Sequence, residues 1–171
     1  IKFSPDQFKV FGSMPGLKKK KKFVFGSEKY AALSRDELMH KTVSFSTHLA
    51  PGSIIVRTGE RRLYYVLPDG EAIQYAVGVG REGFTWSGTN RVTRKAEWPD
   101  WRPPKEMIER EAERGHIIPE HMEGGPDNPL GARAIYIGST QYRIHGTTQP
   151  WSIGQAVSSG CIRMRNEDVT D

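Results

Sequence analysis

The chain has 171 residues, 36% of them hydrophobic, a formal charge of +5 and a single cysteine. That length and apolar content fit one ordinary domain with an extension. No run approaches the ~18 apolar residues of a membrane span, and zinc-finger spacing, a basic helix and an RNP-like strand are all missing, so the charge does not point to nucleic acid.

Residues 1–50 read as an N-terminal extension, partly flexible and Lys-rich. Pro, Gly, Ser and Lys are frequent there and apolar residues are scattered. The five lysines Lys18 to Lys22 repel one another and read as a solvated tail. The functional alternative for them is attraction to an anionic surface such as cell-wall polymer. A short helix is expected over Ser34 to His40, because Ser34 and Glu37 have the spacing of a capping box.

From Pro51 the pattern changes. Residues 53–58 and 61–67 are rich in β-branched and aromatic side chains and are joined through Gly59-Glu60, which predicts a hairpin. Pro68-Asp69-Gly70 reads as a turn in which proline fixes φ and glycine accepts a positive φ. Strands follow over 71–79 and 91–98. A helix over 104–114, with prolines at its start, interrupts the Pro-, Gly- and charge-rich stretch 99–128. Short strands over 134–138 and 141–145 flank Ser139-Thr140. Asn166 reads as the N-cap of a closing helix, with Glu167 and Asp168 at its positive end. That helix has barely begun at Asp171, so the expectation is a C-terminal end that is truncated. Many short strands and few helices predict a mainly β domain with one or two short helices.

Three clusters carry candidate chemistry. Gly78-Val-Gly80-Arg-Glu-Gly83 matches a dinucleotide-binding loop, but Phe84-Thr-Trp86-Ser-Gly88 follows where that loop needs a helix, so a glycine-rich strand end is the better reading. His116 and His121, with Glu120 and Glu123, lack zinc-site spacing, and Pro119 breaks any helix between them; solvated loop histidines are expected, and no metal or cofactor. Cys161 stands apart because of its company. Ser158-Ser159-Gly160 precedes it, Arg163 follows, and His145-Gly146 lies upstream. A free thiol is only a few per cent ionised at neutral pH. An imidazole can hold an ion pair with it or take its proton, and a guanidinium lowers its pKa. The amides of Gly160 and Cys161 are candidates for binding an oxyanion. The alternative is a buried structural cysteine beside an unrelated histidine.

His145-Gly-Thr, Trp151-Ser-Ile-Gly154 and Val157-Ser-Ser-Gly-Cys-Ile-Arg-Met-Arg-Asn-Glu-Asp-Val169 closely resemble the active-site signature of L,D-transpeptidases with the YkuD-type catalytic domain. Pro51-Gly-Ser-Ile-Ile-Val-Arg-Thr, Val77-Gly-Val-Gly80 and Asn128-Pro-Leu-Gly131-Ala-Arg-Ala-Ile-Tyr136 agree, so the resemblance covers about residues 50–171. It implies a YkuD-like β-sandwich, with 51–171 as the catalytic domain. It also implies an exported protein of the periplasm or cell envelope, whose signal peptide lies outside this sequence. The implied substrate is the peptidoglycan stem tetrapeptide. Cys161 forms a thioester as D-alanine leaves, and an acceptor amine resolves it, giving a 3→3 cross-link or attachment of an envelope protein.

The resemblance makes Cys161 the nucleophile, His145 the general base and then acid, and the Gly146 carbonyl the group that orients the imidazole. Ser159 and Gly160 shape the nucleophile loop, and Arg163 supports the thiolate or a substrate carboxylate. Where some members carry a histidine before the Gly-Cys pair, this chain has Ser159. Trp151, Tyr136 and Tyr142 are the candidate substrate-binding aromatics, followed by Trp86, Trp98 and Trp101, although aromatics are more often core. Arg133, Arg143 and Arg165 suit substrate carboxylates, with a solvated surface role expected for each. Alternatives are an L,D-carboxypeptidase, in which water replaces the amine, and a non-catalytic wall-binding module.

Overall fold

The computed structural model describes residues 9–11 and 33–171; the lysine run 18–22 lies outside the described residues. In chain order the elements are β1 (Lys9–Phe11), α1 (Arg35–Leu38), β2 (Lys41–Ser44), β3 (Ile54–Arg57), β4 (Arg62–Val66), β5 (Glu71–Ala76) and β6 (Val79–Gly80). They continue with β7 (Thr89–Glu97), α2 (Lys105–Glu113), β8 (Arg133–Ile137), β9 (Arg143–His145), a 3-10 turn at Pro150–Ser152, β10 (Ala156–Ser158), β11 (Ile162–Arg163) and α3 (Asn166–Thr170). The molecule is mainly β with short helices, as the sequence predicts.

Nine strands hydrogen-bond in the order β11-β9-β8-β7-β1-β3-β4-β5-β2, and β6 and β10 form a separate parallel pair. Alternation explains how the large sheet folds over on itself. Ile54, Val56, Leu63 and Tyr75 on the β3–β5 half, and Val92, Ile137, Ile144 and Ile162 on the β7–β11 half, turn their side chains into one core cluster. Each strand of the sandwich thus spends every second side chain on the interior. A smaller cluster on the outer face of the β2–β5 half holds Phe45, Tyr64 and Ala72, with the Phe45 and Tyr64 rings stacked at 4.5 Å. The division at residue 51 falls between β2 and β3. Two strands from the first fifty residues join the sheet: β2 pairs antiparallel with β5, and β1 lies between β3 and β7.

Local chemistry sets the connections. The capping box forms as expected, with the Glu37 amide donating to Ser34 Oγ and the Ser34 amide to Glu37 Oε2. The turn after β4 is built differently from the sequence reading. Asp69 and Gly70 both have positive φ, 61° and 75°, so they form the two-residue loop of a type I′ hairpin, whose twist matches the flanking strands. Pro68 sits before the loop, where its carbonyl accepts from Glu71. The predicted strand 71–79 is also broken. β5 ends at Ala76, Gly78 exchanges two backbone bonds with Arg163, and β6 pairs with β10. A side chain at Gly78 would press on the Ser152 carbonyl at 2.7 Å, and one at Gly80 on the Phe84 carbonyl. The glycines therefore let the chain cross between sheets.

Asn166 does not cap α3. The N-cap position is Arg165, and Asn166 is the first helical residue. Its Oδ1 turns inward and accepts from the amides of Ala132 at 3.0 Å and Thr147 at 3.1 Å. Two interior amides left unpaired would cost more than one missing cap.

Candidate active site

β11 runs parallel to β9 with Ile162 opposite Ile144 and Arg163 opposite His145. Ile144, Ile162 and Met164 are buried in the core. With a side-chain period of two, Arg143, His145, Cys161 and Arg163 share the opposite face. Arg143 and Arg163 each act electrostatically on both the thiol and the imidazole, so the four groups form one cluster.

His145 is 5% exposed. Its Nδ1 lies 2.6 Å from the Gly146 carbonyl, which can only accept. The proton is therefore on Nδ1, and Nε2 keeps a free lone pair. Burial, then the charge of Arg163 and that of Arg143, push the imidazole from 6.5 down to about 4, against the pull of the Gly146 and Leu130 carbonyls. Cys161 is half-buried. Burial raises its thiol above the ordinary value, and the Arg143 amide together with the Arg143 and Arg163 charges oppose that rise. Both shifts favour the uncharged forms, a thiol and a neutral imidazole, and the Cys161 thiol donates toward the Gln141 carbonyl at 4.0 Å. Of the two states the sequence left open, this favours proton transfer during attack over a standing ion pair.

The loop before the sulfur is stapled by a residue the sequence reading passed over. Ser158 Oγ donates to the Cys161 carbonyl at 2.6 Å and accepts from the Gly160 amide at 3.1 Å. The Gly160 amide, expected as an oxyanion donor, is therefore already engaged by the hydroxyl that holds the loop. Gly160 has φ of +112°, and a Cβ there would run into the Tyr142 ring, so only glycine fits. Ser159 Oγ accepts from Arg110 Nη2, on α2, at 3.0 Å. Arg163 Nη1 donates to Gln149 Oε1 at 3.0 Å, and burial lowers its guanidinium while Cys161 works against that.

The candidate aromatics separate. Tyr136 faces Arg143 across the β8–β9 pair, its ring between the guanidiniums of Arg94 at 4.7 Å and Arg143 at 5.4 Å. Tyr142 stacks on Trp86 at 5.1 Å and backs Gly160. Trp151 is 60% exposed on the 3-10 turn between His145 and the loop before Cys161. Trp98, at positive φ, and Trp101, bridged to Met122, belong to the long connection before β8.

Of the arginines, Arg133 pairs with Glu97, and Arg165 with Glu167 and Asp168. Arg143, expected to be a solvated surface residue, instead flanks Cys161; the register of β9 against β11 was the missing information. His116 contacts Glu111, and His121 contacts Asp100. Gly78 to Gly83 runs through β6 into a turn, with no helix after it. An apolar groove of about 450 Å³ lies away from the thiol, lined by Leu63, Tyr75, Ile135, Met164 and Val169 among others.

The family model described as YkuD, L,D-transpeptidase catalytic domain, matches residues 51–171. Over 121 residues the chain is 43% identical to the probable L,D-transpeptidase ErfK/SrfK of Escherichia coli K12, a stretch covering 68% of this chain and 38% of that protein. It is 33% identical over 141 residues to the putative L,D-transpeptidase YkuD of Bacillus subtilis 168, covering 81% of this chain and 79% of that one. A crystal structure described as a probable carnitine operon oxidoreductase CaiA from Brucella melitensis shares 41% identity with a TM-score of 0.59, covering 85% of this chain and 91% of that chain. The matched stretch thus amounts to well under half of the E. coli protein.

Proposed function

The chain belongs to the YkuD family of L,D-transpeptidase catalytic domains, and from that membership we propose that it is a cysteine acyltransferase acting on peptidoglycan stem peptides in the periplasm or cell envelope. The observation that carries this reading is the shared face of β9 and β11, on which Cys161 and the neutral, Nδ1-protonated His145 lie with Arg143 and Arg163.

The chemistry follows from those groups. As Cys161 Sγ attacks the carbonyl between the third residue and the terminal D-alanine, His145 Nε2 takes the thiol proton. The Gly146 carbonyl holds the ring in the tautomer that permits this and favours the imidazolium as it forms. The oxyanion that develops is stabilised by the Cys161 amide and by the nearby guanidinium charge. The carbon–nitrogen bond breaks, His145 returns the proton to the leaving amine of D-alanine, and a thioester remains. An acceptor amine, from another stem or from an envelope protein, then attacks the thioester, loses its proton through His145, and releases the thiol. Tyr136, Tyr142 and Trp151 form the walls against which the peptide lies, and Ser159 and Gly160 keep the loop in shape.

Intact-mass measurement tests the reading. With a stem tetrapeptide the wild-type protein is expected to gain the tripeptide acyl mass on Cys161 as D-alanine is released, and a carbapenem is expected to add at the same sulfur. Cys161→Ala is expected to do neither while keeping its fold. Transfer activity surviving in Cys161→Ala, or an adduct at another residue, overturns it. Product analysis with and without an added amine separates transfer from hydrolysis.

A further inference from the structure

Beside the loop before Cys161, two guanidiniums gather over one aromatic ring, with a third, that of Arg114, acting electrostatically on the first. Arg81 follows β6, with its amide bonded to the Ser158 carbonyl at 3.0 Å and its guanidinium 4.3 Å from the Phe84 centroid. Arg110 lies 5.2 Å from the same centroid and donates to Ser159 Oγ at 3.0 Å. Burial, then the charges of Arg110 and Arg114, push the Arg81 guanidinium below its ordinary range, with Glu111 opposing. Glu111 is already shared: Arg114 and His116 each approach it at 3.3 Å, while Arg110 Nε stops at 3.7 Å, beyond hydrogen-bond reach.

Among the described residues, two buried nitrogens in this group have no hydrogen-bond partner, Arg81 Nη2 and Arg110 Nε. Like charges held together over unsatisfied donors cost stability. A carboxylate is the group that would relieve this crowding, since a guanidinium pairs with the two oxygens of one carboxylate. The position suits a substrate group. Burial alternates along Ser158, Ser159, Gly160 and Cys161, with Ser159 and Cys161 the partly exposed pair. Arg110 therefore touches a residue about two chain positions from the sulfur, roughly 7 Å.

We infer that Arg81 and Arg110 form an anion subsite that takes a carboxylate carried on the side chain of the peptide delivered to Cys161. The subsite makes the enzyme distinguish an acid from an amide at that group. Which peptide arrives rests on the acyl-transfer reading above; the subsite itself rests on the guanidinium cluster. Phe84 supplies the apolar floor on which the two cations sit, and Ser159, standing where some relatives carry a histidine, holds Arg110 through its hydroxyl.

Calorimetric binding to the Cys161→Ala protein tests this without turnover. Two tetrapeptides are compared that differ only in a carboxylate or a carboxamide on the third side chain. The acid is expected to bind about tenfold tighter or better. That advantage is expected to vanish in Arg81→Met and in Arg110→Met, each made in the same background, since methionine keeps cover over Phe84 and loses the charge. Glu111→Gln removes the internal competitor and is expected to enlarge the advantage, a gain that a merely structural role for the arginines does not produce. Equal affinity for the two peptides, no binding of the acid at millimolar concentration, or an advantage unchanged in both arginine variants overturns the inference. If near-ultraviolet dichroism shows either arginine variant unfolded, an unchanged or smaller acid preference in Glu111→Gln does so instead. Failure of the wild-type protein to form an acyl-enzyme sinks the transfer reading alone, since the binding comparison does not depend on it.

Discussion

Among the described residues the buried imidazole of His145 has no carboxylate partner, so its charged form is penalised on folding. The sign of the consequence is fixed. Above the ordinary value of 6.5 neither folded nor unfolded chain holds the proton; below it the unfolded chain takes one that the folded chain refuses until about pH 4. Stability is therefore whole above 6.5 and is lost as pH falls toward 4, by an amount on the order of 3 kcal/mol. Urea unfolding at two pH values in that window checks it: His145→Gln is expected to lose this part of the acid sensitivity, and an unchanged slope with pH would count against a neutral buried ring. The same protonation sets the acid limb of acyl-enzyme formation, expected near pH 4 rather than near 6.5. Cys161 and His145 were legible as candidates because their residue types and glycine neighbours mark them. Ser158, Arg110 and Arg143 were not, because each acts through a partner 3, 49 or 18 positions away that only the folded chain brings near.

At the scale of elements, the site depends on loops pinned by single side chains. Asn166, at the start of α3, holds the turns at Ala132 and Thr147 and leaves no room for a side chain at Gly131 or Gly146. Replacing it with alanine strands two amides at a cost of about 2–4 kcal/mol. Because Gly146 also carries the carbonyl that orients His145, Asn166→Ala is expected to slow acylation by tenfold or more as well as lower the melting temperature. A variant that loses stability but acylates at the wild-type rate contradicts that coupling. Gly160→Ala is expected to fail more severely, since φ of +112° and the Tyr142 ring both exclude a methyl group. Strand identities were largely readable from alternating β-branched residues. The break at Gly78 and the inward turn of Asn166 were not, because they answer to the neighbouring sheet and loops and not to local propensity.

Over the whole molecule, the two halves of the sandwich meet at β1, whose backbone pairs with both β3 and β7. Deleting residues 1–12 leaves facing strand edges unpaired and is expected to lower the melting temperature by about 5 °C or more; an unchanged melting curve would mean the seam holds without it. The sequence by itself determined the mainly β character, the hairpin, the helices α1 and α2 and the family, and it singled out the sulfur and the ring as candidates. Those features follow from side-chain period, capping chemistry and a contiguous motif, all of which are local in the chain. Only the tertiary structure decided that burial favours the uncharged thiol and imidazole, that Ser158 takes up the Gly160 amide, and that Arg81 and Arg110 crowd over Phe84 beside the loop before Cys161. Desolvation, hydrogen-bond satisfaction and charge crowding depend on what surrounds a group in three dimensions, and no spacing along the chain specifies that.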